Sequence, residues 1–427
     1  IFASWGACKH YHSDLYQRAM ILLMSLTGNQ GKAGSGVRIA AWWGMDGLEA
    51  LANGLFTTAD KIKLIPKAIR GLTPRDYEDI FIGISEKEAN TPMIVFLYVH
   101  GGYKEMWDKP HLQDPALPRN IAQYMRESID KGWTKVHPPE DRTPKAYIFT
   151  GCNPLRRWPS PQIAKKHLWP KFDVIVSVNF RMSTSSLFAD YVLPVAAYYE
   201  KYGIKYGQTY VPYIITSDKA TEPLGEAKSD WEIFGLLSKT ISERAKVRNI
   251  GPVRGFKDQP HDLTKVYENH TENGKYDPTD PEDPVKLMDA IFAGSPSVGA
   301  DNGRDALKMG AVPVIGTGRP SLIYQNYSDY DPKDTHWPHR DFVEKKVAWP
   351  TLTGRQQFYI DHPWFIEGGE SLPTHKPPPH AGSKYPLRMY GGHNRWSIHA
   401  IWRDVKLLLR LQRGQPVCWI NPEEAVT

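Results

Sequence analysis

The sequence predicts an α/β protein with a doubly wound, Rossmann-like sheet, followed by a separate β-rich final domain. Two observations lead to this fold class. Amphipathic helices alternate with short apolar runs over 1–245, and several of these runs end in polar turns. Residues 246–354 are instead rich in Pro, Gly and Asp, and strand-like segments resume over 355–427. We therefore expect three regions with these boundaries in the 427-residue chain.

The first predicted element is a helix that runs from Ser13 to Gly28. Apolar side chains recur at helical spacing through Leu15, Leu22 and Leu26. Ser13 is a suitable N-cap and Gly28 a suitable stop. The segment GNQGKAGSG then holds four glycines in nine residues, which predicts a loop.

Three short apolar runs predict buried parallel strands. They are PMIVFLYVHGG (92–102), KAYIFTGCNP (145–154) and KFDVIVSVN (171–179), and each ends in a polar or glycine-containing turn. The segment SPQIAKKHLWP, between the second and third runs, has room for a crossover helix. Strand, turn, helix and strand in this order form a βαβ unit, and ligands bind beyond the carboxyl ends of such strands.

The rest of the chain predicts one more long helix, an irregular excursion and a final β-region. An amphipathic helix over 228–245 has Ser229 as its N-cap. The excursion 246–354 is irregular by composition, apart from a short helix in DPVKLMDAIFAG. Strands are expected in RQQFYIDHPWF (355–365) and, after the linker THKPPPH, in KYPLRMYGG and VKLLLRLQRGQPVCWI.

Composition argues against several classes of protein. The net charge of +6, from 53 Lys+Arg and 47 Asp+Glu, is small, and no lysine- or arginine-rich run stands out, so nucleic acid is not implied. Cys8, Cys152 and Cys418 are far apart, which argues against a disulfide framework and against a metal site built from cysteines alone. Because no apolar run reaches roughly 18 residues, we expect no transmembrane segment.

The glycine-rich loop is the first candidate binding segment. Gly28, Asn29, Gly31 and Gly34 permit close approach of a phosphate, and the N–H groups of such loops can cradle an anion. However, the loop follows a helix, so it matches neither the Walker nor the Rossmann fingerprint. A plain connecting loop is an equally good interpretation of this stretch alone.

Polar side chains after two of the apolar runs form the second candidate segment. They are Thr150, Gly151, Asn153, Asn179, Arg181, Ser183, Thr184 and Asp190. Hydroxyls together with one carboxylate suit a guanine base, whose N1 and N2 groups are donors. The alternative is a helix N-terminal turn that is capped by serine and threonine.

The segment GGHNRWSIHA, at 391–400, is the third candidate. Its polar and aromatic side chains are those of His393, Asn394, Arg395, Trp396, Ser397 and His399. The alternative is a polar β-turn. A metal site formed by the two histidines lacks a supporting pattern of carboxylates.

Taken in order, these stretches resemble the molybdenum enzymes of the DMSO reductase family. They are most similar to its nitrate reductase-like (type II) branch, which includes ethylbenzene and dimethylsulfide dehydrogenases and selenate, chlorate and perchlorate reductases. The motifs are YHSDLYQRAMILLMSLTGNQGKAGSG, VNFRMSTSSLFADYVLPVAAYYEK, EAKSDWEIF and PLRMYGGHNRWSIHA. The resemblance covers most of 1–245 and 355–427. It implies an α/β molybdopterin oxidoreductase domain and the beginning of a dinucleotide-binding β-barrel, in the catalytic alpha subunit of a larger multi-domain enzyme.

The resemblance also implies cofactors and partners. Two molybdopterin guanine dinucleotides would bind one molybdenum and would be held by the candidate residues named above. A [4Fe–4S] cluster and the aspartate that ligates molybdenum would precede Ile1, so we expect the chain to be part of a longer subunit. Iron–sulfur and haem b subunits are the implied partners. The implied location is the periplasm, or alternatively the cytoplasmic face of the membrane.

The reaction is implied by the segments GACKHYHSDLYQRA and RIAAWWGMDGLE, which look most like the ethylbenzene dehydrogenase group. This likeness implies that water-derived oxygen hydroxylates an apolar hydrocarbon or a steroid side chain. Lys9 is the catalytic candidate, and the alternative is that it is a solvated neighbour of His10. Trp42 and Trp43 line an apolar pocket or pack in the core. Two other functions stay open: a respiratory oxyanion reductase for nitrate, chlorate, perchlorate or selenate, and a non-catalytic scaffold subunit.

Overall fold

The computed structural model is a mixed α/β structure that divides into two compact units. The first unit comprises 1–92, 114–137 and 194–379, and the second comprises 93–113, 138–193 and 380–427. Both are therefore assembled from separated segments, and the predicted boundaries at 245 and 354 stay predictions. The structure describes residues 6–7, 10–37, 58–69, 91–206, 213–254, 260–296, 298–315, 339–349, 351–378, 387, 395–396, 405–412, 414 and 417–425.

Helices and strands are numbered along the described chain. The helices are α1 Ser13–Leu26, α2 Thr58–Ile69, α3 Met93–His100, α4 Lys104–Trp107, α5 Ile121–Asp130, α6 Pro154–Arg157, α7 Pro161–His167, α8 Asp230–Val247, α9 Val266–His270, α10 Asp283–Ala293, α11 Gly303–Met309, α12 Arg340–Val343, α13 Pro363–Glu367 and α14 Lys406–Leu411. The strands are β1 Ala146–Thr150, β2 Val174–Asn179, β3 Tyr191–Pro194, β4 Gly203–Tyr206, β5 Tyr213–Ser217, β6 Val253–Arg254, β7 Pro260–His261 and β8 Ala311–Pro313.

A parallel strand pair with a crossover helix lies in the second unit, as predicted. Strands β1 and β2 pair in parallel, with Thr150 opposite Val178, and β3 lies on the other side of β2. Helix α7 lies between β1 and β2 in the chain. Buried Leu97, Trp158 and Leu168 pack together as a core of this unit. This pair is one βαβ unit; the complete doubly wound sheet and the barrel stay predictions.

An antiparallel sheet in the order β4-β5-β8 lies in the first unit. Ile214 of β5 pairs with Val312 of β8, and both side chains are fully buried with Phe292 of α10. The predicted helix in DPVKLMDAIFAG is confirmed as α10. The region 246–354 is thus more regular than predicted, because α10, α11 and β8 complete the core around β5.

The two long helices were predicted correctly. Ser229 caps α8, and its side chain accepts a hydrogen bond from the Glu232 N–H at 3.1 Å. Helix α1 ends before Gly28, which has a φ of +67°. Its start differs from the prediction, because His12 in left-handed conformation precedes the helix and no side chain caps it.

Three predicted strands are wrong. The run MIVFLYVH is helix α3, because a short apolar run is compatible with a buried helix as well as with a strand. Residues 406–411 form α14, since Leu, Lys and Arg are strong helix formers. The segment 355–365 contains no strand; Pro363 begins α13, and the His362 side chain accepts a hydrogen bond from the Trp364 N–H.

An ion-pair and aromatic cluster joins α5 to α13 in the first unit. The Arg119 guanidinium donates two hydrogen bonds to Glu367, at 2.7 and 2.6 Å, and one to Glu127 at 2.7 Å. The Trp364 indole N–H also donates to Glu127, at 2.9 Å. Hydrogen bonds from Lys131, Trp364 and Arg119 together lower the pKa of Glu127 to about 2.

Among the described residues, no helix is long and apolar enough to cross a membrane.

Candidate functional site

The carboxyl ends of β1 and β2 meet at one edge of the second unit's sheet. Gly151, directly after β1, donates its N–H to the Val178 carbonyl at 3.1 Å. The Asn179 side chain, at the end of β2, donates to the Cys152 carbonyl at 3.4 Å. The parallel pairing therefore brings together the predicted residues of two separated segments.

A buried serine ties the segments after these strands to each other. Asn153 Oδ1 accepts hydrogen bonds from the Ser185 N–H at 3.2 Å and from the Ser185 hydroxyl at 2.7 Å. The same hydroxyl accepts from the Leu155 N–H at 2.9 Å. Ser185 is fully buried, so these bonds replace the water that its polar groups lose on folding. Asn153 thus has a structural partner within the edge.

A second chain of hydroxyls stabilises the turn after β2. Ser186 Oγ lies 2.8 Å from the hydroxyls of both Ser177 and Ser183. Ser183 Oγ also accepts a hydrogen bond from the Ser186 N–H at 3.1 Å. Ser177 and Ser186 were not predicted from the sequence to belong to this turn; the signal available was a serine inside the otherwise apolar run VIVSVN.

Several groups at this edge remain available to a ligand. Thr150 and Thr184 are exposed, and their hydroxyls have no hydrogen-bond partner among the residues that the structure describes. Gly151 has a φ of +56°, and the position of a Cβ there is open space. Arg181 is half-buried in the turn after β2. Cys152 follows β1, and burial raises the pKa of its thiol. The two threonine hydroxyls are donors that suit a phosphate or a nucleotide, and the open space at Gly151 leaves room for it.

Asp190 lies at the other end of β2. Its carboxylate accepts a hydrogen bond from the Ile175 N–H at 2.7 Å, and its own N–H donates to the Ile175 carbonyl at 2.9 Å. Ile175 precedes Asn179 by four residues, which is about 13 Å along a strand at ~3.3 Å per residue. The structure therefore does not bring Asp190 to the strand-end cluster. Its contact with guanine stays a prediction.

The glycine-rich loop lies in the first unit. It packs closely against neighbouring residues at Gly31 but not at Gly34. Gly28, Gly31 and Gly34 have φ values of +67°, +68° and +73°. A Cβ on Gly31 would lie 2.5 Å from Val343 Cβ and 2.8 Å from the His339 carbonyl oxygen. Nothing lies within 4 Å of a Cβ on Gly34.

A half-buried histidine, His339, contacts this loop. The Gln30 side-chain amide hydrogen-bonds to His339 Nδ1, and Gln30 is buried. Burial lowers the pKa of His339 to about 4, so the ring is neutral at pH 7 and its Nδ1 can accept. Asn29 is exposed, and its amide donates to the Thr27 hydroxyl at 3.0 Å. The N–H groups of Gly28 and Asn29 donate to the Ser25 and Met24 carbonyls at 3.0 and 2.9 Å, so the open space in this loop lies at Gly34.

A half-buried histidine between two carboxylates follows the candidate Lys9. His12 Nε2 lies 3.8 Å from Asp114 Oδ2, and His12 Nδ1 lies 3.9 Å from Glu370 Oε1. Burial and the charge of Asp114 raise the pKa of Tyr11. Neither carboxylate was predicted from the sequence, because Asp114 and Glu370 are distant in the chain from the motif that they approach.

Several predicted residues lie outside the described part of the chain. They are Lys9, Trp42, Trp43, His393, Asn394, Ser397 and His399. Arg395 and Trp396 are described; the guanidinium carbon lies 4.9 Å from the centroid of the indole ring, and both residues are exposed. Within the described ranges, no group of three or more His, Cys, Asp and Glu side chains is placed to hold a metal ion.

Comparisons with known proteins identify relatives along nearly the whole chain. A family model described as molybdopterin oxidoreductase matches residues 1–240. The alpha subunit of respiratory nitrate reductase from Haloferax mediterranei is 34% identical over 98% of this chain and 40% of its own length. The perchlorate reductase alpha subunit of Dechloromonas aromatica is 30% identical, over 99% of this chain and 41% of its own length. The dimethylsulfide dehydrogenase alpha subunit of Rhodovulum sulfidophilum is 29% identical, over 97% and 42%.

The chain thus spans about two fifths of the length of these relatives. Among solved structures, acetylene hydratase from Pelobacter acetylenicus aligns with 56% of this chain and 25% of its own, at 18% identity and a TM-score of 0.34. That score is too low to carry an argument about the fold.

Proposed function

Since the chain belongs to the molybdopterin oxidoreductase family, we propose that it forms part of the catalytic subunit of a molybdenum enzyme that reduces a respiratory oxyanion. One observation carries this proposal: the relatives with 34% and 30% identity are named as reductases of nitrate and perchlorate. The sequence alone favoured hydroxylation of a hydrocarbon or a steroid. The relatives support the oxyanion alternative better, so it becomes the proposed function.

The proposed cofactor is the guanine dinucleotide form of molybdopterin, with molybdenum. When bound, it supplies oxygen-atom transfer coupled to two-electron redox chemistry. The residues of this chain bind and orient it. Thr150 and Thr184 would supply hydroxyl donors at the strand ends of the second unit. The donor set therefore fits a phosphorylated, hydrogen-bond-rich group.

Substrate preference follows from charge. A small oxyanion needs cationic or hydrogen-bonding groups, whereas a hydrocarbon needs apolar area. We propose that Lys9 serves the oxyanion as its cationic contact. The same cation would contribute little to the binding of an alkylbenzene or a sterol.

The proposed assembly has further subunits, since the relatives are named as alpha subunits. We propose iron–sulfur and haem b subunits as the electron route, a [4Fe–4S] cluster in the same polypeptide, and a periplasmic location. Cell fractionation with an antibody against this chain tests the location. Recovery with the cytoplasmic face of the membrane would contradict it.

The test of function uses the purified complex from its natural host. We expect molybdenum and, after acid release, a guanine nucleotide. With reduced viologen as donor, nitrate, perchlorate or chlorate should be reduced at a much higher rate than ethylbenzene or a sterol is oxidised with an artificial acceptor. Fast hydrocarbon oxidation without oxyanion reduction would restore the hydroxylation hypothesis. A folded complex without molybdenum would favour the scaffold alternative.

A further inference from the structure

A stretch of the second unit carries cations without any acidic residue. From 142 to 172 the sequence contains seven Lys and Arg side chains and no Asp or Glu. Arg156 and Arg157 lie on α6, and Lys165 and Lys166 lie on α7. These two helices follow each other in the chain and pack together. We call these four residues the basic face.

Among the described residues, the cations of the basic face have no carboxylate partners. Within the described ranges, Arg156, Arg157 and Lys166 form no ion pair, and Lys165 contacts an aromatic ring instead. Some exposed cations elsewhere are paired with carboxylates, as Arg304 is with Asp289 at 2.6 Å. Like charges that are held together without counter-charge repel each other. Among the residues that the structure describes, no carboxylate therefore balances the charge of the basic face.

Exposed apolar side chains lie beside the basic face. Lys165 Nζ is 3.9 Å from the centroid of the Phe188 ring, and the Trp169 indole donates to the Phe188 carbonyl at 2.9 Å. Phe188 is 43% exposed, and Leu187 is 70% exposed in the same turn, Ser186–Phe188. Lys165 thus lies beside exposed aromatic and aliphatic side chains, which occur together at surfaces that bind other proteins.

This composition decides the class of partner. Helices that lie on membranes have long apolar faces, whereas α6 and α7 have four and seven residues. Binding of single-stranded nucleic acid relies on exposed aromatic platforms, and Phe188 already carries Lys165 on its ring. We propose that the basic face and the turn Ser186–Phe188 form a docking surface for an acidic protein. Steering by charge would give this partner a fast and salt-dependent association.

The test measures binding of the purified protein to immobilised poly-L-glutamate, a vesicle with 30% phosphatidylserine and a 20-nucleotide RNA. The test variant carries three substitutions together: Arg156→Glu, Arg157→Glu and Lys166→Glu. The control, Lys104→Glu with Lys109→Glu and Lys246→Glu, changes the net charge equally at exposed positions outside α6 and α7. We expect at least tenfold weaker binding to polyglutamate and a smaller salt dependence for the variant, and less than a twofold change for the control.

Two results would overturn the proposal. One is equal loss of polyglutamate binding in the variant and in the control. The other is wild-type binding that favours the vesicle or the RNA over polyglutamate. Circular dichroism and molybdenum content verify the fold. If charge reversal prevents folding, substitution of the same three cations by glutamine gives the same comparison, with a smaller expected loss of about fivefold.

Discussion

Substitution of Gly31 by alanine tests the packing below the glycine-rich loop. An alanine at a φ of +68° costs about 1–2 kcal/mol, because its Cβ crowds its own carbonyl oxygen. The new Cβ would also lie 2.5 Å from Val343 Cβ and 2.8 Å from the His339 carbonyl oxygen. Such overpacking typically costs a further ~1–3 kcal/mol. We therefore expect Gly31→Ala to lower the free energy of unfolding by about 2–5 kcal/mol.

Gly34→Ala is the matched control for this prediction. Gly34 has nearly the same φ, +73°, but open space where the Cβ would lie. Only the backbone cost of about 1–2 kcal/mol is expected there. Urea denaturation followed by circular dichroism and tryptophan fluorescence measures both variants, since Trp349 lies 5.0 Å from His339, ring centroid to ring centroid. Equal losses in the two variants would refute the reasoning, because the overlap with α12 would then contribute nothing.

Three further predictions concern the strand ends and the loop anchor. Asn153→Ala should lower the free energy of unfolding by about 1–3 kcal/mol, because the N–H and the hydroxyl of the buried Ser185 lose their acceptor. Asn153→Asp keeps an acceptor oxygen and should have a smaller effect in the same denaturation assay. Burial lowers the pKa of His339 from 6.5 to about 4, so the unfolded state binds the proton more readily than the folded state. The free energy of unfolding should therefore fall by up to roughly 3 kcal/mol as the pH drops from 6.5 to 4. His339→Gln should flatten this pH profile. Asp190→Asn retains an oxygen that can accept a hydrogen bond from the Ile175 N–H, so the free energy of unfolding should stay unchanged. Loss of guanine nucleotide from this variant would support the predicted contact with the cofactor. An unchanged guanine nucleotide content would contradict it.

Local chemistry explains which parts of the fold could be predicted from the sequence. Ser229 before an amphipathic segment predicted the start of α8, because a capping hydroxyl and helical periodicity act over a few residues. The β-branched run around Val174 and Val176 predicted a strand for the same reason. The apolar run of α3 has no periodic contrast, so its sequence did not distinguish a buried helix from a strand.

The candidate site was predictable only where it follows a strand. Thr150 and Asn179 were found because residues after neighbouring parallel strands meet at one edge. Asp190 was assigned to the same edge because it follows β2 in the chain, yet it bonds to the start of that strand. The carboxylates around His12 come from distant segments, and no local pattern indicates such contacts. The basic face was missed because its signal is the absence of acidic residues and not a run of lysines.

The cluster that joins α5 to α13 bears on the order in which this protein folds during synthesis. Arg119 and Glu367 are separated by 248 positions in the chain, and Trp364 and Glu127 by 237. Helix α5 therefore leaves the ribosome long before α13 is synthesised, and until then Arg119 and Glu127 can pair only with each other or with nearby residues such as Lys131. Contacts of such long range slow folding and leave intermediates open to aggregation. A nascent chain that stalls before Pro363 would lack the bonds that Glu367 and Trp364 make to Arg119 and Glu127.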